Sequence, residues 1–176
     1  MVDSRLLYQL SYRGSLWVVY RTPMSGCNCS VASYQTFCKG LPRTVADDLG
    51  EDAAPHHQAS GHMVKLWFGN KDLHFECGVY LHRNVIELGL HFESDRMTNL
   101  RLLGAFRARS KAIARRLPSA RIEAWDKGWA RVWEPLDLES LEGPGGTKIA
   151  KLLARYVRVL EPILEDELPA DVRWSR

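Results

Sequence analysis

No apolar run in this sequence approaches the roughly 20 residues that a membrane-spanning helix requires, so no membrane partner is expected. Net charge is nearly absent too: +3 over 176 residues, too little to mark a nucleic-acid binder by composition. The first residues include Asp3 and lack a continuous apolar stretch followed by small residues, which argues against an export signal and for a cytoplasmic protein. Cysteine is sparse, with Cys27, Cys29, Cys38 and Cys77 reading as reduced thiols where no export signal supports disulfides. A phosphate-binding glycine loop is also missing. Gly143-Pro144-Gly145-Gly146 before Thr147-Lys148 has the wrong spacing and follows an acidic linker rather than a strand. No cofactor is expected.

The length suits one domain with an irregular extension. Residues 1–62 read as that extension: Leu6, Leu7 and Leu10 hint at a short helix and Ser15–Tyr20 at a strand, but Pro23–His62 is rich in Gly, Pro, Ser, Asp and Ala with little periodicity. Residues 63–176 read as a single folded unit. Val64–Phe68 alternates like a strand, and Gly69-Asn70-Lys71-Asp72 turns into a long hairpin, Leu73–Leu81 and Val85–Glu93. With Arg83-Asn84 at its tip, Leu73, Phe75, Cys77, Val79 and Leu81 face the core with Ile86, Leu88, Leu90 and Phe92. The opposite face then sets His74 across from Glu93, Glu76 from His91, Gly78 from Gly89 and Tyr80 from Glu87.

Ser94, Asp95 or Thr98 can cap a helix that runs to about Leu117, where Pro118 stops it, with Leu100, Leu103, Phe106, Ile113 and Leu117 as its apolar face. A second hairpin pairs Trp125 with Trp129 around Asp126-Lys127-Gly128 and places Glu123 opposite Arg131. Thr147 caps a last amphipathic helix that Pro162 kinks. The fold class is α+β: a five-stranded antiparallel sheet in the order β-β-β-α-β-β-α, two helices on one face, and the irregular N-terminal extension. From Met63 to Leu168 that order of elements resembles the secretion-chaperone-like fold, which implies a small module that binds other polypeptides and often dimerises. Members of that family usually carry a helix before the first strand, and the sequence shows none there.

The face away from the helices collects the candidate binding residues His74, Glu76, Tyr80, His91, Glu93, Trp125, Trp129, Arg131 and Trp133, with Trp67 and Glu87 beside them. A solvated sheet face rarely spends so much aromatic area, so the first reading is a non-enzymatic module whose protein partner, or second copy, meets this surface. The alternative is a metal-dependent enzyme, because His74, Glu76, His91 and Glu93 are ligand types for zinc, manganese or iron and also form acid–base pairs. A third reading uses nucleic-acid phosphates: no acid lies between Arg96 and Ile122, and Arg107, Lys111 and Arg115 form one basic stripe. Cys27-x-Cys29, Cys38, His56, His57 and His62 match no common zinc module, and Cys77 reads as a core residue rather than a nucleophile. The aromatic face can instead be covered by the N-terminal segment or by the tail around Trp174.

Overall fold

The computed structural model describes residues 31–50, 54–141 and 144–168. The possible helix at Leu6–Leu10, the possible strand at Ser15–Tyr20, Cys27, Cys29 and Trp174 lie outside the described residues. Helix α1 (Val31–Leu49) comes first, followed by strands β1 (His56–Ser60), β2 (Met63–Trp67), β3 (Leu73–Tyr80) and β4 (Val85–Phe92). Helices α2 (Arg96–Ala108) and α3 (Ser110–Arg116), strands β5 (Arg121–Ala124) and β6 (Ala130–Asp137), and helix α4 (Gly145–Glu167) complete the order. The strands form one antiparallel sheet, β1-β2-β3-β4-β6-β5. The α+β class with an antiparallel sheet therefore stands, but among the described residues six strands and four helices replace the expected five and two.

Strand β1 and helix α1 fall in residues expected to be an irregular extension, and each was hidden for a physical reason; the remaining extra helix comes from a break between α2 and α3. Strand β1 reads His-His-Gln-Ala-Ser and is exposed along its whole length, so it has no apolar alternation; backbone pairing to β2 alone defines it. Helix α1 contains Gly40 and Pro42, the two strongest helix breakers. Even so, Cys38, Leu41 and Val45 fall at i, i+3 and i+7 and are buried against the common core. Helix α1 lies along α4, where Arg158 pairs with Asp48 at 2.7 Å. A helix thus does precede the first strand.

The long hairpin is offset by two residues from its expected register. Leu81–Arg83 form a short 3₁₀ turn and Asn84 adopts a left-handed conformation (φ 53°), so four residues rather than a two-residue tip join the strands. His74 consequently faces His91, Glu76 faces Gly89, Gly78 faces Glu87 and Tyr80 faces Val85. Side chains alternate with period two, so this even slip leaves each residue on its expected face. The second hairpin has the expected register, with Glu123 opposite Arg131, and its loop uses left-handed Lys127 (φ 57°) and Gly128 (φ 80°).

Apolar residues of all four helices and of the strands form a single core on one face of the sheet. Asp95 caps α2 by accepting from the amides of Met97 and Thr98. The single helix expected to reach Leu117 breaks at Arg109 (φ −95°, ψ 8°) into α2 and α3, and Leu102 takes the core position expected of Leu100, which is exposed. Helix α4 begins two residues before Thr147 and has no side-chain cap; Gly145 packs there so closely on the Ser140 carbonyl that any side chain would collide with it. Among the described residues no helix is long and apolar enough to cross a membrane.

Candidate metal centre

Alternation along β3 and β4 directs His74, Glu76, Glu87 and His91 away from the helical core, and Glu93 follows just past the end of β4. One ligand atom from each of His74, Glu76, His91 and Glu93 lies within 4.8 Å of all the others. His74 Nε2 is 3.4 Å from Glu76 Oε2 and 3.9 Å from Glu93 Oε1, and His91 Nδ1 is 3.6 Å from Glu93 Oε1. A tetrahedral ion bound about 2.0–2.2 Å from each ligand sets ligand atoms about 3.3–3.6 Å apart, so small rotamer adjustments suffice to close the set. Lys65, opposite Glu76 on β2, puts its Nζ 3.5 Å from Glu76 Oε2 and 3.3 Å from Glu93 Oε2.

Hydrogen bonding orients one ligand and leaves two atoms unpaired. His74 Nδ1–H donates to the Lys71 carbonyl at 2.9 Å. In the neutral ring that donation leaves the lone pair on Nε2, which points toward the two carboxylates. His74 and His91 are each 1% exposed, yet while the rings are neutral His74 Nε2 and His91 Nδ1 have no hydrogen-bond partner; protonated, they would turn their charge on Glu76 and Glu93, 3.4 and 3.6 Å away. Leaving a buried polar atom unpaired costs about 1–3 kcal/mol, so such atoms call for a role. Trp125 abuts His91 edge-on at 5.1 Å between ring centroids and Trp129 lies 5.6 Å beyond it, forming an aromatic wall on the β5–β6 side.

The carboxylates are held ionised. Burial alone would raise the Glu93 carboxyl, but a hydrogen bond and positive charge from protonated His91 and His74, with Lys65, outweigh it and bring the group down from 4.5 to about 2. Glu76 is also lowered: His74, His91 and Lys65 overcome its burial. A carboxyl depressed on folding adds stability above its unfolded value and loses that contribution as pH falls toward its folded value. Chelator-treated protein is therefore expected to lose stability as pH drops from about 4.5 toward about 2. Urea midpoints across that range check this, and Glu93→Gln should flatten the slope; an unchanged slope in the variant would assign the acid transition to other groups.

The remaining candidates fall into a second, neighbouring network. The Arg131 guanidinium lies between rings, 3.7 Å from the Trp133 centroid and 4.8 Å from that of Trp125. Its Nε and Nη2 donate to Glu123 Oε1 at 3.0 and 2.8 Å, and Nη1 donates to Glu87 Oε2 at 3.2 Å. Trp133 Nε1–H donates to the same Glu123 oxygen at 2.7 Å. Arg83 pairs with Glu87 at 2.9 Å and stacks over Tyr80 at 4.2 Å. Trp133 was expected to offer apolar area outward, but it is buried: Gly89 on β4 has no side chain, so the Trp133 backbone and Cβ sit where a Cβ would otherwise be. Trp125, Trp129 and Tyr80 remain half-buried; Tyr80 folds its ring back over Gly78, and burial, with Glu76 and Glu87 nearby, pushes its hydroxyl up to about 12.

Sequence reasoning missed Lys65. The signal was present, since Lys65 is the polar residue between apolar Val64 and Leu66, but only the β2–β3 register reveals that it meets Glu76. Cys77 is buried on the core face as expected, and burial pushes its thiol upward. Burial likewise raises Cys38 to about 11, which suits a core thiol and not a metal ligand. His56, His57 and His62 are exposed along β1 and its turn. No protein-family model, curated protein or solved structure matches the chain.

Proposed function

We propose that this protein binds a divalent transition-metal ion through His74, Glu76, His91 and Glu93. One observation carries the reading: two buried imidazole nitrogens without hydrogen-bond partners converge with two ionised carboxylates inside a 4.8 Å cluster. Two nitrogens and two carboxylate oxygens suit zinc, manganese or iron rather than magnesium or calcium, which favour oxygen alone. The Lys71 carbonyl presets His74, and Trp125 and Trp129 limit access of water from one side. A bound ion would act there as a Lewis acid or hold the two hairpin strands together.

The partner-surface reading draws on fewer groups than its sequence argument assumed, because Trp133 and Arg131 are committed to contacts within the chain. It retains Trp125 and Trp129, whose half-exposed rings border the centre and would give an incoming ligand an apolar wall.

Protein purified without a histidine tag is expected to carry, or to take up, one equivalent of zinc, manganese or iron by elemental analysis. At a free-ion concentration about 100-fold above Kd, binding adds about 2.7 kcal/mol of stability and raises Tm by about 5–11 °C. His74→Ala and His91→Ala should each abolish that rise. A metal-free wild type whose Tm is unmoved by all three ions would overturn the reading.

A further inference from the structure

Lys65 stands at the carboxylate end of the centre, and its charge is of the same sign as the ion proposed to bind there. The two glutamates use their oxygens differently. Glu93 turns Oε1 toward the imidazoles, 3.6 Å from His91 Nδ1, and Oε2 toward Lys65 at 3.3 Å. Glu76 presents the same oxygen, Oε2, to His74 Nε2 at 3.4 Å and to Lys65 Nζ at 3.5 Å. An ammonium and a metal ion bound together at one carboxylate oxygen would repel each other strongly, since the cluster is shielded from water. Lys65 itself is only partly enclosed, at 24% side-chain exposure, and its flexible stem lets the ammonium swing outward while the methylenes stay packed.

Resting on the metal reading, we infer that Lys65 is a built-in counter-cation that competes with metal for Glu76 and thereby sets the affinity of the centre. Without metal it compensates buried Glu76 and partly buried Glu93, whose carboxylates would otherwise repel each other. When metal binds, Lys65 gives up Glu76 Oε2 and keeps Glu93 Oε2, where it continues to orient the ligand whose other oxygen faces the histidines. The centre is thus graded between two cationic states, one intramolecular and one metal-bound, rather than standing open to any passing ion.

The test uses the full chain as wild type, Lys65→Gln, Lys65→Met and Lys65→Arg, titrated with Mn²⁺ and Zn²⁺ against a chelating dye. Removing one positive charge next to a bound dication should tighten binding about ten-fold or more in Lys65→Gln and Lys65→Met. Lys65→Arg should stay near wild type. The metal-free neutral variants should melt below metal-free wild type, because their carboxylates lose a counter-ion. Tightened binding in the neutral variants supports the inference even where wild-type binding is too weak to measure. Equal or weaker binding by both neutral variants, against a wild type that binds, would overturn the role of Lys65 and leave the metal reading intact. If neither ion binds to wild type or to any variant, the metal reading fails and the inference fails with it.

Discussion

A chain truncated to begin at Met63 is expected to lose cooperative folding. The truncation removes α1 and β1, and with α1 go Cys38, Leu41 and Val45, all fully buried in the common core. Full burial of an apolar side chain is worth roughly 1.5–3 kcal/mol, so the three together contribute roughly 4.5–9 kcal/mol. That is comparable with the 5–15 kcal/mol that typically separates a folded domain from its unfolded state. Helix α4 would also expose the side on which α1 lies and lose the Arg158–Asp48 pair. Thermal melts followed by circular dichroism decide the matter: a sharp transition at a midpoint close to full length would show that residues 63–176 fold without α1. The expected result is a broad transition, or a protein that binds hydrophobic dyes before heating.

Arg131→Met is expected to cost about 3–5 kcal/mol, a Tm loss of about 6–20 °C, although it roughly preserves side-chain volume. Glu87 and Arg131 are both buried, and Arg131 holds Glu87 and Glu123 together. Removing the guanidinium leaves Glu87 with only the half-exposed Arg83, and breaks the stack with Trp125 and Trp133. Lysine cannot reproduce a planar fork between two rings and two carboxylates, so Arg131→Lys should recover only part of the loss. Adding Glu87→Gln to Arg131→Met should restore stability, because it removes the stranded charge. If Arg131→Met unfolds within about 1 kcal/mol of wild type, the network behaves as a solvent-screened surface pair.

Residues whose environment repeats along a strand were the most legible. His74, Glu76, His91 and Glu93 were assigned to one face by alternation alone, and they cluster despite an error of two residues in the register. Parity explains this: the turn Leu81–Asn84 could be misread in length, but an even slip cannot exchange the faces of a strand. What the slip changed was the identity of each opposite number, so His74 meets His91 directly and the glutamates flank them. Trp133 was legible in direction but not in exposure, because the close approach of β6 at Gly89 and the Arg131 guanidinium stacked on its ring are tertiary facts. Helix α1 was illegible because Gly40 and Pro42 lower local helix propensity, while the core that stabilises it lies across the fold on α4. Strand β1 was illegible because the alternating pattern exists only where a strand has a buried side, and all five of its residues are exposed.

The clasp between α1 and α4 also bears on how the chain matures on a ribosome. Asp48 and Arg158 are 110 residues apart. At a synthesis rate of about 5–20 residues per second, α4 emerges about 5–20 s after α1. During that interval the β3–β4 hairpin and α2, whose contacts are local, can form within microseconds to milliseconds. Helix α1 meanwhile carries Cys38, Leu41 and Val45 with no α4 to cover them. The nascent protein therefore leaves these three apolar side chains uncovered for seconds beside a hairpin that is already formed, and a holdase that recognises short apolar segments has its window of action there.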